Sequence, residues 1–192
     1  MEQSRHEEAN EKLWNPELYK PLKGKAAFAA RTGGLLPIMM ICEELFFIDI
    51  RMGKLRPRDD LGNEGLDISD PMDYDRSTGM RSLYYHVPSR SEVTIDDDIT
   101  QYPADTVCLM MTDNWKLDPV GMARSEGKED NYFVDFQMRM YWEAKVLPLE
   151  KTEVAALIRE NRSRLPPQEQ QRLQALDKQR KPPRKKKIGK RI

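Results

Sequence analysis

The sequence predicts an α+β fold: a mostly antiparallel sheet packed against a C-terminal helix, followed by a disordered basic tail. Three stretches carry that reading. "ELFFIDIR" (44–51) puts Phe46, Ile48 and Ile50 on one face of a strand and Leu45 and Phe47 on the other, the pattern of a strand buried on both sides. "VDFQMRMYWEAKV" (134–146) alternates apolar and polar residues over thirteen positions, which predicts one long antiparallel strand with a single buried face. "KTEVAALIRENRSRL" (151–165) sets Val154, Leu157, Ile158 and Leu165 near one side of a helix.

The remaining elements follow in chain order. Residues 1–34 read as a peripheral N-terminal arm: "HEEANEKLW" suits a short helix, Pro16 and Pro21 interrupt it, and "RTGG" (31–34) reads as a loop. Residues 35–165 form the α+β domain. Gly53 closes a tight turn after the first strand, and Leu55 begins a return strand. Residues 57–80 are rich in Asp, Gly, Asn, Ser and Pro and read as a long acidic loop. Strands are predicted over 81–88 and 105–113, with "DDDITQYP" as loop between them. In "LDPVGMARSEGK" (117–128), Asp118 is placed to cap a short helix, Pro119 to open it and Gly127 to stop it. Thr152 caps the helix over 152–164, and Pro166 and Pro167 end it. Residues 166–192 form an exposed helix or linker, with only Leu173 and Leu176 to pack, and then the basic tail.

Charge is divided along the chain. The formal net charge is zero, from 32 basic and 32 acidic residues. Residues 178–192 hold nine of the basic groups and no acidic one, leaving 23 basic groups against 32 acidic elsewhere, a net of −9. Within 59–113, thirteen acidic residues face only Arg76, Arg81 and Arg90. The tail residues Lys178, Arg180, Lys181, Arg184, Lys185, Lys186, Lys187, Lys190 and Arg191 are therefore the candidate nucleic-acid contacts, made to phosphates. No aromatic residue is interleaved among them, so base stacking by the tail is not expected. Trp14, Tyr19 and Trp115 stand in polar surroundings and are candidate protein-binding residues.

Motifs for chemistry fall short of their templates. "GMARSEGKE" is one residue too long for a P-loop and has Glu129 where a hydroxyl should bind magnesium. "DYDRSTG" places Asp73, Asp75 and Ser77 like a calcium loop, but Gly79 is one place late and Tyr84 stands where the bidentate Glu belongs. Cys42, Cys108 and His86 are too scattered to nucleate zinc, and both cysteines read as buried structural thiols. His86 reads as a half-buried, hydrogen-bonded histidine. No cofactor or metal is expected, and no motif supplies both a reactive group and its activator. The function expected is an accessory protein: the folded domain binds a protein partner and the tail contacts nucleic acid. The alternative is a small metal-dependent enzyme using the acidic region 59–113. The apolar run 35–50 is broken by Pro37, Glu43 and Glu44 and is too short for a membrane span. Without a secretory pattern after Met1, the expected location is the cytoplasm, or the nucleus in a eukaryotic cell.

Overall fold

The computed structural model describes residues 15–60, 62–69, 74–75, 78–135 and 137–179. The described chain opens with α1 (Pro16–Tyr19) and α2 (Lys25–Thr32). Strands β1 (Ile38–Ile41), β2 (Glu44–Asp49), β3 (Lys54–Pro57) and β4 (Leu66–Asp67) follow. Next come β5 (Tyr74–Asp75), β6 (Met80–His86), β7 (Ser91–Glu92) and β8 (Thr106–Thr112). Two short helices, α3 (Asn114–Leu117) and α4 (Pro119–Ser125), lead to β9 (Tyr141–Glu143) and β10 (Lys145–Pro148). A 3-10 turn, Leu149–Lys151, precedes α5 (Val154–Ser163) and α6 (Pro167–Gln179).

The strands make two sheets, ordered β4-β3-β2-β1-β9 and β10-β8-β6-β5, with β7 paired to β6. Every pairing is antiparallel except β1 with β9. The fold is therefore α+β, with two sheets where the sequence led us to expect one.

Alternation along β2 decides how the layers stack. Phe46, Ile48 and Ile50 join Leu83, Tyr85, Val107, Leu109 and Met111 of the second sheet in the main core. Phe47 points the other way, into a second core with Tyr19, Ala27, Ile38, Val120, Met138 and Met140. The first sheet is thus covered on both faces, by the second sheet and by the N-terminal helices. Gly53 lets β2 turn into β3: its φ is +66°, and a Cβ there would lie 2.8 Å from the Ser69 Cβ.

Three expectations are corrected. "RTGG" is not a loop from its first residue, because Arg31 and Thr32 belong to α2 and the Arg31 side chain is buried. The acidic stretch 57–80 is not continuous loop; it contributes β4 and β5. The alternating segment is not one long antiparallel strand. Met138, Met140 and Ala144 are buried as the alternation requires. The backbone, however, makes an isolated bridge from Arg139 to Lys23, then pairs in parallel as β9, then crosses at Ala144 to pair with β8 as β10. Period-two patterning records which side chains are buried, not which strand is the partner.

Thr152 is not the cap of α5 that the sequence led us to expect: Glu153 takes the N-cap position without a side-chain cap bond, and the Thr152 hydroxyl donates to the Leu149 carbonyl at 2.8 Å while accepting the Val154 N–H at 3.3 Å. The helix holds the loop before β8 through Asn161, whose Nδ2 donates to the Asp97 and Ile99 carbonyls at 2.7 and 2.9 Å. Helix α6 is sparsely anchored: Leu173 is buried and Leu176 is exposed.

Candidate functional site

The "LDPVGMAR" segment folds around a buried charge. Asp118 caps α4 by accepting the Gly121 N–H at 2.9 Å, and Pro119 takes the first helical position. The same carboxylate, with no exposed surface, accepts from the Arg31 guanidinium at 3.0 Å. Gly121 is required by contact: a Cβ there would sit 2.2 Å from Asp118 Oδ2. The pair ties α2 to α4 and is almost wholly buried, so this is a structural ion pair.

One face of this α-helical region is aromatic and exposed. Trp115 on α3 meets Phe133 edge-on, with ring centroids 4.2 Å apart, and Tyr132 meets Phe133 at 4.7 Å. Trp115 is 40% and Tyr132 61% exposed. The Lys128 ammonium stands 5.5 Å above the Tyr132 ring. Beside it Arg124 donates to both oxygens of Asp130 at 2.7 Å, which holds the Asp130 carboxyl below its ordinary pKa. Tyr132 and Phe133 are the residues sequence reasoning missed; adjacent aromatics in the polar stretch "EDNYF" were the available signal.

A second cluster lies at the β1–β2 hairpin. Its two turn residues, Cys42 and Glu43, have φ of +47° and +72°, a left-handed turn usually built from Asn and Gly. Glu44 beyond them pairs with Arg90 at 2.7 Å, and Arg90 also holds Asp59 at 3.0 Å. Arg90 lowers the Asp59 pKa by this hydrogen bond. The Tyr85 hydroxyl, fully buried and without a hydrogen-bond partner, has its pKa raised by burial and then by Glu44 and Cys42. Burial likewise raises the Cys42 thiol, which makes it a poor nucleophile at neutral pH.

His86 is partly buried, as expected, and its Nδ1 lies 2.6 Å from the Ser89 hydroxyl, itself 2.7 Å from Ser91. Ser91 borders an open groove of about 430 Å³ that is also lined by Lys54, Asn63, Glu64, Asp67 and Glu92. The three side chains could pass a proton from Ser91 to His86, but both hydroxyls face solvent, where water competes for the same bonds.

Of the candidate protein-binding residues, Trp115 is on the surface and Tyr19 is not. Tyr19 is 1% exposed within the second core, and burial pushes its phenol up to about 12, so it offers no binding surface. Helix α1 turns that ring inward while leaving Leu18 exposed, which its polar neighbours in sequence conceal. Trp14 lies outside the described residues, as do Asp73 and Ser77 of the calcium-like motif. Lys178 belongs to α6, while Arg180, Lys181, Arg184, Lys185, Lys186, Lys187, Lys190 and Arg191 lie outside the described residues.

Cys42 and Cys108 are free thiols on different elements, and Cys108 is buried with its pKa raised to about 11 by burial and Glu153. Among the described residues, no group of three or more His, Cys, Asp or Glu could hold a metal ion. Three acidic residues of 59–113 serve separate local roles: Asp59 pairs Arg90, Asp67 accepts from Ser69, and Asp113 caps α3. Among the described residues, no helix is long and apolar enough to cross a membrane. No protein-family model, no curated protein and no solved structure matches this chain, so its own geometry and charge carry the functional argument.

Proposed function

We propose that this chain is an accessory protein whose basic tail contacts nucleic acid through phosphates and whose folded body holds a protein partner. The observation that carries the reading is the division of charge: nine Lys and Arg within 178–192, on a remainder of net −9. An acidic body repels a polyanion, so the contact must be made by the tail. The body supports the other half of the reading with Trp115 and Tyr132, large exposed rings of the kind that anchor protein interfaces.

Affinity for a duplex and for a single-stranded oligonucleotide, measured at two salt concentrations for the intact chain and for a chain ending at Asp177, tests this. Binding through five tail charges gives a log–log salt slope of about −3.5 to −4.5 by counterion release. The shortened chain should lose that binding. Equal affinity of the two chains would remove the tail from the mechanism, and the nucleic-acid reading with it.

A further inference from the structure

We propose that the Trp115–Phe133–Tyr132 ring cluster is the docking site of the chain's own basic tail, residues 180–191, so that the tail is held on the body until a polyanion competes for it. The inference builds on the proposed function, since it describes how that same tail is regulated, with the tail covering the ring surface that the protein partner would otherwise use.

The chemistry of the patch selects a cation. Between 113 and 135, leaving out Asp118, which is buried against Arg31, five carboxylates stand against three basic side chains. Arg124 is taken by Asp130, and Lys116 lies 4.0 Å from Asp113. Glu126 and Glu129 are exposed in the loop that carries Tyr132, whose N–H donates to the Glu129 carbonyl at 2.9 Å. A polyanion is disfavoured at such a rim, and a cationic segment is attracted to it. The rings add their own preference: Lys128 already stands over one face of Tyr132, and the exposed Trp115 ring offers the kind of surface on which a further cation stacks.

The tail has the matching form. "RKPPRKKK" (180–187) sets Pro182 and Pro183 among six cations. Adjacent prolines favour an extended left-handed helix, the conformation that exposed aromatic surfaces take up together with a flanking Arg or Lys. The thirteen residues after Gln179 span up to about 43 Å when extended, comparable with the diameter of about 40 Å expected for a body of this size.

The test uses the full chain. Trypsin cleaves after Lys and Arg, so removal of the tail is followed by intact mass at low salt, with a free peptide of the tail sequence as the internal rate standard. Two variants are compared with the wild type: Trp115→Leu/Tyr132→Leu, and Glu126→Gln/Glu129→Gln, which alters exposed carboxylates only. Docking predicts that tail cleavage speeds up by about fivefold or more in both. If circular dichroism shows the ring variant to be misfolded, the carboxylate variant alone decides. Unchanged cleavage overturns the proposal.

Oligonucleotide affinity separates this idea from the reading beneath it. A freed tail should bind a single-stranded oligonucleotide several-fold more tightly in the ring variant. Weaker binding would mean that the rings stack on bases, and would also overturn docking. Faster cleavage with no oligonucleotide binding by any form would leave docking standing and remove the proposed function.

Discussion

Removing the Asp118 carboxylate strands the Arg31 guanidinium inside the protein. Asp118→Ala should cost roughly 3–5 kcal/mol in a urea-unfolding experiment, because it leaves a buried charge without its partner and a helix without its cap. Replacing both charges, as Arg31→Met with Asp118→Leu, should cost clearly less than the single change. A single variant within about 1 kcal/mol of the wild type would show that the pair is not the tie it is taken for here. Cys108 gives a pH-dependent counterpart. Its pKa rises from 9.0 to about 11, so the folded chain keeps a proton that the unfolded chain releases. Stability from this group is complete below the ordinary thiol value and is lost as pH rises through 9 to 11. Tyr19, raised from 10.0 to about 12, extends the same loss to higher pH. Melting temperatures of Cys108→Ala should therefore fall less steeply between pH 9 and 11 than those of the wild type.

At the scale of elements, the segment 134–146 separates burial from pairing. Met138→Asp would bury a carboxylate in the second core and should cost several kcal/mol, whereas Gln137→Asp on the exposed side should be mild. Ala144→Asp, at the crossing between sheets, should also be severe. Val146→Asp should be mild, because Val146 is 40% exposed although the alternation places it inside. Thermal melts followed by circular dichroism rank all four. Val146 also marks what the sequence could not convey. Alternation placed Met138, Met140 and Ala144 correctly because burial is a property of one chain segment. The exchange of partners from β1 to β8 depends on residues about a hundred and about thirty-five positions away, and local pattern carries no trace of it. Local chemistry was readable where it was self-contained: the Asp118 cap and the Gly53 turn both follow from neighbours within a few residues. The buried Arg31 looked like loop because its partner is 87 residues away. Two of the three rings, Tyr132 and Phe133, were missed for the same reason, since Trp115 meets Phe133 only after α4 has turned the chain back.

For the whole molecule, the crossing at Ala144 makes one cooperative body of two sheets. The Ala144 N–H donates to the Met40 carbonyl at 3.0 Å in the first sheet, and the next residue, Lys145, is already paired with Met110 in the second. Opening either sheet pulls on the other. Unfolding followed by far-ultraviolet circular dichroism and by tryptophan fluorescence should therefore give coincident transitions; two separated midpoints would show that the sheets melt independently. The parallel pairing of β1 with β9 has a further consequence, one of timing. Strand β1 is the apolar run "IMMI", and its outer edge is closed only by residues 141–143. On a ribosome making about 5–20 residues per second, that edge waits about 5 to 20 seconds for its partner. During that interval the nascent chain carries an unpaired, hydrophobic strand edge, the kind of surface that neighbouring chains extend into aggregates.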